Sequence, residues 1–279
     1  NASIPSVHIL SLVMPTTQSS ASLDTYQEEA VCRILRKVND SKERNYFFLT
    51  GGPGTGKTYA TRELVKRLTS HHDVIILSWN ALTSRALGGQ TVMGFFGLTF
   101  EDSGIVGDNA YMRDPHELAR RMLTRIPSEN RRTVASHKAV LIVDEVMCLH
   151  DTIIDAMSQA FRRIRQQMGS DNLPFGNVPT VFVGDVCQFG PVELCEQSKA
   201  YPKDTFPTYS FWHSNTWADM KPDVLYLTSF HRGSDSGYLS MLEEIRKQEH
   251  FSPGVPMFSK QSLDVLESIR DRDGGVKQP

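Results

Sequence analysis

The sequence predicts an α/β domain: a parallel sheet with helices on both faces and a small insertion. Three observations predict it. Short apolar stretches alternate with segments of helical period; the first stretch runs into a Gly-rich turn and then a helix; and three of the stretches end in polar residues able to do chemistry. Strands covered on both faces read as continuous apolar runs, because the crossover helices exclude water from either side.

Taken in order, residues 1–22 are rich in Ser, Thr and Pro and predict a flexible leader. The chain begins with Asn rather than Met, so a clipped or mis-bounded start is expected, with Met14 one candidate. Residues 23–38 place Ala30, Ile34, Leu35 and Val38 at helical spacing, and Asp24 stands near the start of that helix. Apolar runs at 46–49, 74–77, 139–143, 181–183 and 224–227 predict five strands, and residues 57–68 the helix after the first. Between about 98 and 136 the rhythm breaks into a polar, Arg-rich insertion with one helix over 114–126. A further helix is expected over 152–168 and a weak one near 261–270.

Composition narrows the function. A net charge of -2 provides no global basic field, so any nucleic-acid contact has to come from a local channel. The four cysteines show no CxxC pair, which predicts reduced thiols inside a cell rather than a disulfide or metal framework. No apolar run reaches the roughly 18 residues of a membrane span, and the apolar patch at 7–13 lacks the basic lead of a signal peptide.

The chemistry sits at the strand ends. Gly51-Gly52-Pro53-Gly54-Thr55-Gly56-Lys57-Thr58 fits G-x-x-x-x-G-K-[ST], with a strand before it and a helix after. Glycines such as Gly52, Gly54 and Gly56 let backbone N–H groups, that of Thr55 included, wrap phosphates at a helix N-terminus. Lys57 reaches the terminal phosphates of ATP and the Thr58 hydroxyl binds Mg²⁺. The run Val140-Leu141-Ile142-Val143-Asp144-Glu145 ends in two acids: Asp144 to hold Mg²⁺ through water, Glu145 to orient or deprotonate the attacking water. Alone such a pair is as often a surface cap; behind a phosphate loop it reads as catalytic. Gly184-Asp185-Val186-Cys187-Gln188 is a third polar strand end, and ligands of parallel sheets sit outside such ends. Gln188 there can sense the γ-phosphate or position water.

These residues resemble the PIF-type helicases of superfamily 1, which move 5′ to 3′ on DNA. Residues 172–177 running into Gly184-Asp185-Val186-Cys187-Gln188-Phe189-Gly190-Pro191-Val192 are similar to PFGG…GDFxQLPPV. The preceding segment, with Arg162, Arg163 and Arg165, sits where that family carries its own signature. Leu23-Asp24-Thr25-Tyr26-Gln27 resembles the leading glutamine motif, and Leu227-Thr228-Ser229-Phe230-His231-Arg232 resembles LTxxFRQ. The resemblance spans about residues 23–247. It implies a RecA-like P-loop NTPase lobe with 98–136 as an inserted subdomain near the strand exit, and 248–279 as the start of a linker or second lobe.

By the same resemblance Gln27 reads the adenine edge and Arg232 stabilises phosphoryl charge. ATP and Mg²⁺ are the implied cofactors; single-stranded DNA and DNA forks are the implied partners of a monomeric motor. The implied setting is DNA repair, recombination, replication or telomere maintenance, in the nucleus or mitochondrion if the source is eukaryotic. Some segments depart. The family's APTGxAA is Ser78-Trp79-Asn80-Ala81-Leu82-Thr83-Ser84 here, TIHS is Thr91-Val92-Met93-Gly94, and Gly233 follows Arg232 in place of Gln. Strand contacts are therefore expected, with less support, from Asn80, Thr91, Phe95, Arg120 and Arg121; an aromatic pair such as Phe95-Phe96 beside an apolar helix is more often core, and the arginines read equally as a solvated face.

Two other functions remain open. One is a nucleotide-dependent binding switch with little turnover, which the drifted channel residues favour and the intact Glu145 and Gln188 oppose. The other is a small-molecule kinase on the same loop, which lacks the elements at 184–188 and 227–232. Neither a TIHKSQG-like segment nor an ALSR-type arginine follows Arg246; Arg270 and Arg272 lie in a polar tail. The expectation is that the chain stops before a second lobe.

Overall fold

The structure is a computed structural model that describes residues 22–40, 45–99, 110–166, 169, 172–194, 202–205, 207–231, 237, 240, 241, 244 and 259–272. Six strands form one sheet: β1 (Tyr46–Gly51), β2 (Asp73–Ser78), β3 (Gln90–Thr91), β4 (Ala139–Asp144), β5 (Thr180–Gly184) and β6 (Asp223–Leu227). Their order is β3-β2-β4-β5-β1-β6, and every pairing is parallel. All six therefore end at one edge, which gathers Gly51, Ser78, Thr91, Asp144, Gly184 and Leu227.

Helices cover both faces, and alternate residues of each apolar run point to different cores. Phe47, Leu49, Val140, Ile142, Val181 and Val183 join α1 (Thr25–Val38) and α2 (Lys57–Leu68) in one core. Tyr46, Phe48, Leu141, Val143 and Phe182 join the other, with α5 (Pro115–Arg125), α7 (Asp151–Ile164) and α8 (Asn215–Met220). Burying each such side chain contributes roughly 1.5–3 kcal/mol, which is why neither strand face tolerates a charge.

The five expected strands and the five expected helices are present, each strand one or two residues longer at its polar ends. The helix expected over 114–126 is α5, with Asp114 capping it by accepting from His116 and Glu117 N–H and Ile126 closing it. The helix expected over 152–168 ends earlier, at Ile164. Arg165 leaves the helix to donate to the Gly176, Val134 and Ser136 carbonyls (2.8, 2.8 and 2.6 Å). The pieces not expected are short: β3, α3 (Ala81–Ala86), α4 (Val92–Phe95), α6 (Ser128–Val134) and α8. The described part of the Arg-rich insertion shares the sheet's core through Tyr111, Met112, Leu118, Met122, Ile126 and Val134. A last helix, α9, spans Lys260–Arg272. Among the described residues no helix is long and apolar enough to cross a membrane.

Candidate functional site

Strand order brings the chemistry together. β4, β5 and β1 are neighbours, so Asp144, Gly184 and Gly51 end side by side. At about 4.8 Å per strand they span about 10 Å. The loop between β1 and α2 turns through Gly54 and Gly56 at φ +78° and +79°. Gly56 caps α2 in left-handed backbone with no side chain on the helix end, leaving its first N–H groups open to an anion. A Cβ at Gly56 would lie 2.3 Å from the Gln27 amide nitrogen, so only glycine fits both the turn and the neighbour.

Lys57 Nζ donates to the carbonyls of Gly51 and Gly52, both at 3.0 Å, and so folds back over the loop. Thr55 Oγ1 donates to Gly52 O at 2.8 Å and holds the loop's curvature. Thr58 follows in the first turn of α2 with an exposed side chain.

Asp144 ends β4 and is only 3% exposed. Burial, then the neighbouring Glu145 charge, pushes its carboxyl up to about 6, while the Lys57 charge acts the other way. Its Oδ2 is buried without a hydrogen-bond partner. An unpartnered buried carboxylate oxygen beside a phosphate loop fits a divalent cation, with the Thr58 hydroxyl a second oxygen donor. Glu145 comes next in left-handed backbone at φ 52°, an uncommon conformation for a residue with a side chain. The turn leaves its carboxylate half-exposed while Asp144 is buried.

Gln188 follows the third strand end and is exposed. Its Nε2 donates to Asp185 Oδ2 (3.3 Å), and the Asp185 carboxylate also accepts the Cys187 N–H (3.1 Å). Asp185, fully buried, shapes this loop; the sequence reading passed over it in favour of Gln188. Gln27 is 2% exposed and completes a capping box with Asp24 at the start of α1. Its Nε2 donates to Thr55 O at 3.1 Å, which ties α1 to the phosphate loop. Arg232 lies outside the described residues. The residue before it is described: His231 N–H donates to Gly54 O (2.8 Å) and its Nε2 lies 2.5 Å from Asp24 Oδ2. This closes a ring of loop, α1 and the segment after β6. Only the local Asp24-x-x-Gln27 pattern could have hinted at it, through the capping box.

The residues expected to meet a nucleic-acid strand are scattered. Asn80 and Thr91 cap α3 and α4 by accepting the N–H of Leu82 (2.9 Å) and Gly94 (3.0 Å), both near the C-terminal edge of the sheet. Phe95 is 3% exposed and packs edge-on against Phe96, so it has no ring face for a base. The structure corrects that expectation in favour of core packing, because the short α4 turns both phenylalanines inward. Arg120 and Arg121 both pair with Glu117 (2.7 and 2.8 Å); Arg121 also covers the Tyr111 ring at 3.7 Å, whereas the Arg120 side chain is 66% exposed.

The family model of PIF1-like helicases matches residues 22–253. Similar relatives include the ATP-dependent DNA helicase PIF7 of Trypanosoma brucei brucei, 28% identical over 251 residues, covering 89% of this chain and 22% of the relative. Human ATP-dependent DNA helicase PIF1 is 27% identical over 235 residues, covering 84% of this chain and 31% of the relative. Among solved structures, a Bacteroides Pif1 helicase in complex with ADP-AlF3 and ssDNA superposes with a TM-score of 0.65 at 20% identity, over 90% of this chain and 51% of that one. This likeness shows the RecA-like fold. The chain thus spans about a quarter of the length of the curated relatives it matches and about half of the solved one. On the match across residues 22–253, the chain belongs to the PIF1-like helicase family.

Proposed function

We propose that this chain is the nucleotide-binding lobe, residues 23–247 with the insertion at 98–136, of an ATP-dependent 5′–3′ DNA helicase. Residues 1–22 are a leader, and 248–279 begin a linker or second lobe. ATP hydrolysis at the strand ends drives translocation on single-stranded DNA and separation of forks. The observation that carries this reading is the side-by-side ending of β1, β4 and β5, with Lys57, Asp144 and Gln188 at one edge.

Lys57 exchanges its two backbone carbonyls for phosphate oxygens. Thr58 and Asp144 hold Mg²⁺, which when bound neutralises phosphate charge. Glu145 orients and deprotonates water, Gln188 senses the terminal phosphate, Arg232 stabilises developing charge, and Gln27 reads the adenine edge. The Gln27 amide keeps one N–H and one lone pair beyond its bonds to Thr55 and Asp24. Relatives described as DNA helicases, and a solved Pif1 neighbour holding ADP-AlF3 and ssDNA, support the choice of nucleotide and strand. The motor acts as a monomer inside the cell, on nuclear or mitochondrial DNA in a eukaryote.

ATP hydrolysis measured with and without oligothymidine tests this reading, using a protein that carries these residues together with a second RecA-like lobe. Stimulation by the strand is expected. Tight nucleotide binding with no stimulated turnover would instead identify a switch.

A further inference from the structure

α5 and α7 run side by side, and the valley between them is a trough of about 680 Å³. Residues 116, 119, 120 and 123 of α5 face residues 159, 162, 163 and 166, each set one stripe at i, i+3, i+4, i+7 spacing. A second hollow of about 650 Å³ lies between the ends of α6 and α7 and shares Arg163 and Gln166 with the first. Among the described residues they are lined by Arg120, Arg131, Arg132, Arg162 and Arg163 and by no carboxylate, and Arg120 pairs with a neighbouring acid, Glu117 at 2.7 Å. That is a concentrated positive field in a chain of net charge -2.

The trough is remote from the strand ends that carry Lys57 and Asp144. Arg165, next to its floor, bonds the Val134 and Ser136 carbonyls just before β4 begins at Ala139. β4 then runs six residues, about 20 Å, before reaching Asp144. Among the described residues no aromatic side chain lines either hollow. Single strands are held largely by bases stacking on aromatic rings. A surface of guanidinium groups without rings is suited to phosphate contacts, as on a double helix whose bases are stacked away.

We infer that this α5–α6–α7 trough is a docking surface for the phosphate backbone of double-helical DNA, separate from the nucleotide site and from any single-strand track at the other edge. It rests on the proposed function only for the class of polymer. Contact is independent of sequence. Arg132 and Arg163, both exposed, supply contacts on either side of the junction between the two hollows.

Fluorescence anisotropy of the 279-residue chain, without nucleotide, tests this across a salt series. The probes are a short DNA duplex, oligothymidine and polyglutamate; the variants are Arg132→Gln/Arg163→Gln and Arg132→Glu/Arg163→Glu. The neutral pair is expected to flatten the duplex salt slope by about 1.8, at about 0.9 per lost phosphate contact. The reversed pair is expected to weaken duplex binding by on the order of tenfold. Oligothymidine affinity and fluorescent-ATP binding should stay within about threefold of the parent, which separates this surface from the nucleotide site. An unchanged duplex slope in both variants overturns the inference. Equal losses on duplex and oligothymidine overturn it in favour of a general field, and loss confined to polyglutamate in favour of an acidic protein partner.

Discussion

Asp144 concentrates the cost of the candidate site in one side chain. Its carboxyl is held at about 6 against an ordinary 3.8, first by burial and then by Glu145. The fold therefore favours the protonated acid. The associated stability is complete below the ordinary carboxylate value and is lost as pH rises through about 6. The loss is on the order of 2–3 kcal/mol. Asp144→Asn, without magnesium or nucleotide, should exceed the parent's stability by about that amount above pH 7, with the gap narrowing towards about pH 5. Urea unfolding at several pH values measures it, and a gap that does not vary with pH contradicts the assignment. Most residues that the sheet gathers at its strand ends were legible in sequence because G-x-x-x-x-G-K-[ST] and the acid pair are local patterns. Asp185 and the Asp24–His231 pair were not. The latter joins residues 207 apart, and nothing in either neighbourhood announces the other.

Three arginines of α7 and its end, equivalent in sequence, part company once the helix is placed. Arg162 and Arg163 face the trough, whereas Arg165 is buried and satisfies three backbone carbonyls. Burial lowers its pKa, though the group stays charged. Arg165→Leu removes all three charge-assisted bonds and strands the carbonyls, a destabilisation of about 3 kcal/mol after the relief of burying a charge. Arg163→Gln should change stability by less than about 0.5 kcal/mol. Equal effects of the two substitutions in denaturant unfolding would reject the distinction. Strong periodicity made α1, α2 and α5 readable, with boundaries within about two residues. β3, α3, α4 and α6 escaped because two to seven residues are too few to repeat a pattern, and Asn80 and Thr91, which cap α3 and α4, look like any polar turn.

Across the whole molecule, the sheet order decides what the chain can do. An all-parallel sheet puts every strand's polar end on one edge, so separate motifs become one site without any long-range signal in sequence. The parallel sheet itself was legible, since the five longer strands are continuous apolar runs. The order of strands, with β6 beside β1 rather than β5, was not, because it depends on which crossover each helix takes. On the proposed reading, nucleotide would close between this lobe and a second, and this chain matches only 22–31% of its curated relatives' length. Residues 1–279 alone should accordingly bind ATP weakly and separate no duplex.

Titration of this chain with a fluorescent ATP analogue and magnesium, for the parent, Lys57→Ala and Glu145→Gln, reads the strand-end site itself. Lys57→Ala should weaken binding about tenfold or more, the loss of one charged phosphate contact. Glu145→Gln should bind within about threefold of the parent, while costing two to three decades in turnover once a second lobe is present. Parent-like affinity in Lys57→Ala would contradict nucleotide binding at this edge of the sheet.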